Sequence, residues 1–167
     1  MIDLRMLHLQ TPRVTVRPIT AMDLDALFAV YSDPEVMRYT SDPPFDDPAL
    51  MQQFWASVQQ GYASGAYYEL ALEHRRDGTC SLHSFDTEQS AAEVGFLLQR
   101  AYWRQGLMAE ALGVLLGFCF DTLRFQTIYA DVDAPNAPSR ALISRLGFQP
   151  VADHPTLFAL APELLRR

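Results

Sequence analysis

The stretch EVGFLLQRAYWRQGLMAEAL, residues 93–112, decides how this chain is read. Its first seven residues, Glu93 to Gln99, have strand character. A short loop containing Gly106 follows, and then an apolar series that continues to about residue 123. That series is apolar on nearly every side of a helix, which predicts a central helix over about 105–123. The first turn of a helix leaves unpaired N–H groups pointing outward and carries about half a positive charge. A strand that feeds such an end through a short loop builds a site for an anion. Gly106 has no Cβ to keep a bulky phosphate from the backbone, and Arg104 and Arg100 add positive charge. A plain glycine cap beside exposed arginines is the other reading of the same residues. No G-x-G-x-x-G is present, which excludes a Rossmann dinucleotide site.

Working outward, RVTVRPI (13–19) alternates as a strand, with Pro18 at an edge or end. Thr20, with Asp23 three positions on, caps a helix through Leu24, Leu27, Phe28 and Tyr31. Asp33-Pro34 restarts helical structure, residues 41–48 form a loop, and Asp47-Pro48 opens a second long helix that fades at Gly61 and Gly65. Strands are expected at 66–74, 79–85 and 93–99, with Asp77-Gly78 a tight turn between the first two. Downstream come a strand at 126–132, a short helix opened near Pro135 and ended by Gly147, and two closing strands, FQPV and TLFAL. The predicted class is α/β (α+β): one domain over residues 1–167, with a central mixed twisted sheet of six to seven strands flanked by about four helices.

Composition removes several function classes. All thirteen basic residues are arginine, so a Walker P-loop, a pyridoxal Schiff base and a lysine nucleophile are excluded. No apolar run approaches the ~20 residues of a membrane helix, and the first residues lack a signal-peptide pattern. Cys80 and Cys119 sit in strand-like or apolar surroundings and read as buried free thiols, which favours the cytoplasm. The four histidines lack metal-ligand spacing, so no metal is expected. Residues 1–99 carry a net charge of −8 and residues 100–167 a net +1. No basic stripe suggests nucleic acid, while the second half suits an anionic ligand and the acidic first half a cationic one.

Two ordered motifs give the chain a family resemblance. EVGFLLQRAYWRQGLMAEAL resembles the acetyl-CoA-binding segment of the GNAT N-acetyltransferases, most of all the branch containing the ribosomal-protein N-terminal acetyltransferases RimJ and RimL. APNAPSRALISRLGF (134–148) resembles that branch's Asn-x-x-Ser…Leu-Gly-Phe signature, and TPRVTVRPI its usual opening strand. Met108 departs from the pattern by standing where a small residue is expected, so its side chain must turn away from the pyrophosphate. The resemblance implies a GNAT fold, acetyl-CoA as cosubstrate, an amine acceptor, no nucleic acid or membrane partner, and a monomer or homodimer in the cytoplasm. It implies that backbone groups of Arg104, Gln105, Gly106, Leu107, Met108 and Ala109 hold the pyrophosphate. Leu97, Leu98 and Gln99 would pair with the pantetheine arm, Asn136 would bond it from the far side, and Arg140 would help near the adenosine phosphate.

Acetyl transfer to an amine needs a base for the amine, stabilisation of the thioester oxygen and a proton for the leaving thiolate. Glu93 is the base candidate, placed among apolar neighbours where burial raises a carboxylate pKa. Its alternative is a strand-edge carboxylate with a structural role. Ser139 is the thiol-side candidate, with a helix cap as its alternative, and the Leu98 N–H is the candidate oxyanion donor. An α-amine, with a reference pKa of ~7.7–8.0, is an easier acceptor than a lysine at ~10.4. Phe45, Trp55, Tyr67, Tyr68 and Phe85 are core residues that could line an acceptor pocket. His83 is either a proton relay or a structural histidine. The competing function is a non-catalytic, regulatory CoA-binding module of the same fold.

Overall fold

Alternating residues near the start of the chain form two short strands, β1 (Leu9–Gln10) and β2 (Thr15–Pro18), in the computed structural model, which describes residues 3–73, 78–86 and 88–166. The Asp77 side of the predicted turn lies outside the described residues. A 3-10 turn over Ala21–Asp23 leads into α1 (Leu24–Tyr31), where the Asp23 carboxylate accepts from the N–H of Thr20 at 2.8 Å and from its hydroxyl at 3.0 Å. Asp33-Pro34 restarts only a turn and a 3-10 segment, Met37–Tyr39, instead of a helix. α2 (Leu50–Ser64) follows and ends at left-handed Gly65. β3 (Tyr68–Glu73), β4 (Gly78–Asp86) and β5 (Ala91–Leu98) form an antiparallel meander. Then come α3 (Leu107–Asp121), β6 (Thr127–Asp131), α4 (Ala137–Leu146), β7 (Gln149–Val151) and β8 (His154–Leu160).

Among the described residues eight strands form one sheet in the order β1-β2-β3-β4-β5-β6-β8-β7. This exceeds the expected six to seven because Leu9–Gln10 is too short to show alternation in the sequence. Every pairing is antiparallel except β5 with β6. That parallel ladder covers only Ala91↔Thr127, Ala92↔Ile128 and Glu93↔Tyr129. Beyond Glu93 the two strands no longer pair, although β5 runs on to Leu98.

The sheet sorts its residues by the two-residue period. Tyr68, Leu70 and Leu72 of β3, with Ala92 and Val94 of β5, join α3 in the main core. Ala71 faces the other way, into a second core with α1 and α2, and Leu97 packs against it. Helix α3 is buried along Leu107, Met108, Ala111, Leu112, Leu115, Leu116 and Cys119, as its all-round apolar pattern predicts. Cys119 is a buried free thiol, and burial pushes it up to about 12. Phe45, Trp55 and Tyr67 pack against the second core, while Tyr68 belongs to the main one and Phe85 packs against it. None of these five lines the cavity described below.

Candidate functional site

Where β5 and β6 part, a cavity of about 730 Å³ opens at the C-terminal ends of both strands. Val94 to Leu98 form one wall and Asp131 to Asp133 another. The two helices that follow these strands, α3 and α4, close its far side through Gly106 to Ala109 and through Pro138, Ser139, Ala141, Leu142 and Arg145. The segment after α1, including Glu35, Arg38 and Tyr39, covers the remaining side. Its Asp33 carboxylate meets Arg100 Nε at 3.5 Å, tying this segment to the loop between β5 and α3.

The two helix ends differ. Asn136 caps α4, its Oδ1 accepting from the Ser139 N–H at 3.2 Å. No side chain caps α3; its N-cap is Gly106, left-handed at φ 77°. The first-turn N–H groups of α3, which have no intrahelical acceptor, therefore have no side-chain cap among the described residues. Arg104 is also left-handed, at φ 61°, and lines the cavity. The Met108 side chain is buried in the main core.

Of the residues singled out in the sequence, Leu97, Leu98, Arg104, Gly106, Leu107, Met108, Ala109, Asn136 and Ser139 all line the cavity. Gln99, Gln105 and Arg140 do not. The Arg140 guanidinium lies over the Phe158 ring at 4.8 Å and donates to the carbonyls of Val132 and Pro155 at 3.4 and 3.3 Å. Arg145, which sequence reasoning missed, lines the cavity in its place. Helical phase was the available signal, because Pro138, Ala141, Leu142 and Arg145 share one face at i, i+3, i+4 and i+7. Arg100 pairs with Asp33 and stays outside the cavity lining.

Of the three residues whose main-chain groups are expected to pair with a ligand arm, two have their carbonyls already engaged. Leu98 O accepts from the Trp103 indole N–H at 2.7 Å, and Gln99 O accepts from the Tyr102 N–H at 3.0 Å. Trp103 thus pins the loop to the end of β5, a contact its position in the motif did not reveal.

Glu93 is the last β5 residue paired to β6 and sits one position before the cavity wall begins. Ala92 and Val94 beside it are buried, but Glu93 itself is only half-buried, and its register partners are His83 and Tyr129. His83 Nδ1 is 3.0 Å from the Ser84 hydroxyl. Ser139 is half-buried in the first turn of α4, and its hydroxyl has no hydrogen-bond partner among the described residues.

The strongest effect of burial on a carboxyl falls elsewhere. Glu69 of β3 is buried against the Tyr67, Tyr31 and Thr79 hydroxyls, with Tyr31 Oη at 3.3 Å. Desolvation pushes it up to about 7, and the hydroxyl hydrogen bonds pull it only part of the way back. A folded-state pKa above the unfolded value gives stability that is full below the unfolded pKa and lost as pH rises through the folded one. Glu69→Gln is therefore expected to flatten the fall in stability between pH ~4.5 and ~7, leaving the variant relatively more stable above pH 7 by about 3 kcal/mol. Urea melts of both proteins across that range check it; parallel curves contradict it.

The profile of the Acetyltransferase (GNAT) domain family matches residues 13–149. The uncharacterized N-acetyltransferase p20 of Bacillus licheniformis is 31% identical over 145 residues, which is 84% of this chain and 82% of that protein. The uncharacterized N-acetyltransferase YoaA of Bacillus subtilis is 28% identical over 146 residues, covering 84% and 82%. Among solved structures, Mycobacterium smegmatis RimJ in complex with CoA-disulfide is similar with a TM-score of 0.81 at 18% identity, over 96% of this chain and 88% of that one. Spermidine N-acetyltransferase from Vibrio cholerae in complex with CoA and spermine gives 0.79 at 14%, over 92% and 98%. At such identities the structural likeness speaks for the fold. The matched family profile, with a curated relative above 30% identity over most of both chains, does more: this chain belongs to the GNAT acetyltransferases, the family that moves an acetyl group from acetyl-CoA to an amine.

Proposed function

We propose that the protein is an N-acetyltransferase whose acceptor is a protein N-terminal α-amine or a small-molecule amine, in the manner of the RimJ and RimL branch, working as one catalytic domain over residues 1–167. The observation that carries this reading is the cavity between the parted ends of β5 and β6, closed by the uncapped N-terminus of α3. Its volume falls within the usual range for small-molecule sites, roughly 300–1,000 Å³. The donor set fits a diphosphate: outward backbone N–H groups at the start of α3 and the Arg104 guanidinium. The Asn136-x-x-Ser139 and Leu146-Gly147-Phe148 motif, which resembles that of the branch, supports the assignment.

Acetyl-CoA supplies an activated thioester and a thiolate leaving group. The chain's own residues do the rest. N–H groups from Gly106 to Ala109 hold the diphosphate, with Arg104 and Arg145 adding charge at that end. Asn136, whose Oδ1 is taken by its capping bond, offers its amide N–H₂ to the arm from the opposite wall. Glu93 takes the proton from the incoming ammonium, directly or through one water. The Leu98 N–H stabilises the developing oxyanion, and the Ser139 hydroxyl serves the departing sulfur. A panel of α-amino peptides, polyamines and amino acids, assayed with acetyl-CoA and a thiol reagent, tests the reading. Thiol release that depends on an α-amine or a small amine supports it. Binding of CoA without thiol release for any amine favours the non-catalytic module instead.

A further inference from the structure

The loop that enters α3 is held in an unusual conformation, with left-handed residues at both 104 and 106. A non-glycine residue held left-handed, as Arg104 is, persists only where its surroundings enforce the geometry. Three side chains clamp this loop. Trp103 Nε1 holds Leu98 O at 2.7 Å, Gln105 Nε2 holds Ala101 O at 3.0 Å, and Arg13 Nη1 holds Gln105 O at 2.9 Å. The third comes from a residue 92 positions away, in the link between β1 and β2.

Arg13 is itself fixed. Its Nε and Nη2 both reach Glu110 Oε2 at 2.6 Å, and its backbone N–H reaches Glu110 Oε1 at 3.1 Å. The Thr11 hydroxyl donates to the same Oε1. Arg13 is about half exposed, and an ion pair of that kind contributes little to stability. The geometry points to another use. No peptide bond in the described chain is cis, so the N–H of Gly106 lies on the opposite side of the peptide from Gln105 O. With that carbonyl turned to Arg13, the Gly106 N–H turns away from Arg13. Gly106 lines the cavity, whereas Arg13 does not. Among the described residues this N–H has no hydrogen-bond acceptor.

We propose that Arg13 is a positioning residue for the diphosphate cradle: by holding the Gln105 carbonyl it aims the Gly106 N–H at the anion, and Glu110 holds the guanidinium in place. The proposal rests on reading the α3 N-terminus as a diphosphate site, and the test separates the two. Dissociation constants are measured for CoA and for pantetheine, the same arm without the diphosphate and the adenosine 3′-phosphate it carries, on the full chain and on Arg13→Gln and Arg13→Lys. The wild type is expected to prefer CoA. Both variants should weaken CoA by roughly tenfold, the scale of one hydrogen bond to a charged group, and leave pantetheine unchanged. Arg13→Lys keeps the charge beside Glu110 but lacks the planar fork that reaches two partners at once, and it decides the matter should Arg13→Gln fail to fold. Equal weakening of both ligands, or no weakening, overturns the proposal. So does full CoA affinity in Arg13→Lys, which would assign a through-space charge effect. A wild type that binds CoA no better than pantetheine overturns the underlying diphosphate reading instead.

Discussion

Glu93→Gln is expected to lower kcat/KM at pH 7 by roughly 10²–10³-fold while leaving CoA affinity unchanged, the scale of a lost general base. Glu93 stands where β5 and β6 stop pairing, one residue before the cavity wall, and on the proposed function it would serve the reacting end without touching the diphosphate. The size of the loss should depend on the acceptor. An α-amine, with a pKa of about 8, supplies some free base at pH 7, whereas a lysine-like amine near 10.4 supplies almost none. The deficit should therefore shrink as pH rises and the amine deprotonates unaided. A pH–rate profile of both proteins checks this. Activity in Glu93→Gln within a factor of a few of the wild type at pH 7 would reduce Glu93 to a strand residue.

The second large effect is structural. Gly147→Val is expected to destabilise the protein by roughly 3–5 kcal/mol, from a β-branched residue forced left-handed and from a clash the backbone cannot relieve cheaply. Gly147 has φ 108°, and a Cβ there would lie 2.0 Å from the Leu164 carbonyl oxygen. Its N–H and that of Phe148 close the end of α4 on Ser144 O and Ile143 O, both at 3.1 Å. Out of a total stability of about 5–15 kcal/mol the loss is severe. Because α4 carries Ser139 and one cavity wall, CoA binding should fall with it. Urea denaturation measures the change, and a loss under about 1 kcal/mol would contradict the packing seen around Gly147.

Local chemistry made much of this legible. The apolar run of α3, the alternation of β3 to β6 and the Gly147 cap each reflect near neighbours, and each forms close to where the pattern puts it. The loop and helix that wall the cavity were found because glycine, arginine and a helix start lie together in sequence. What escaped depends on distance or phase. Arg13 meets the loop across 92 positions, and no local pattern carries that contact. Glu69 looks like an ordinary alternating strand residue until Tyr31 and Thr79 arrive from elsewhere in the chain to bury it beside its near neighbour Tyr67. Arg140 and Arg145 lie on different sides of α4, and of the two only Arg145, which the motif does not single out, lines the cavity. Glu93 was expected to be buried by its apolar neighbours, but in a strand those neighbours face the opposite side of the sheet.

On the proposed function, the uncapped N-terminus of α3, entered through left-handed Gly106, holds the diphosphate of CoA between β5 and β6. Calorimetric titration of CoA tests it most directly. The account predicts one site with micromolar affinity that weakens as salt is raised, because the contacts are charge-assisted. No heat and no rise in melting temperature at a hundred micromolar CoA would contradict it.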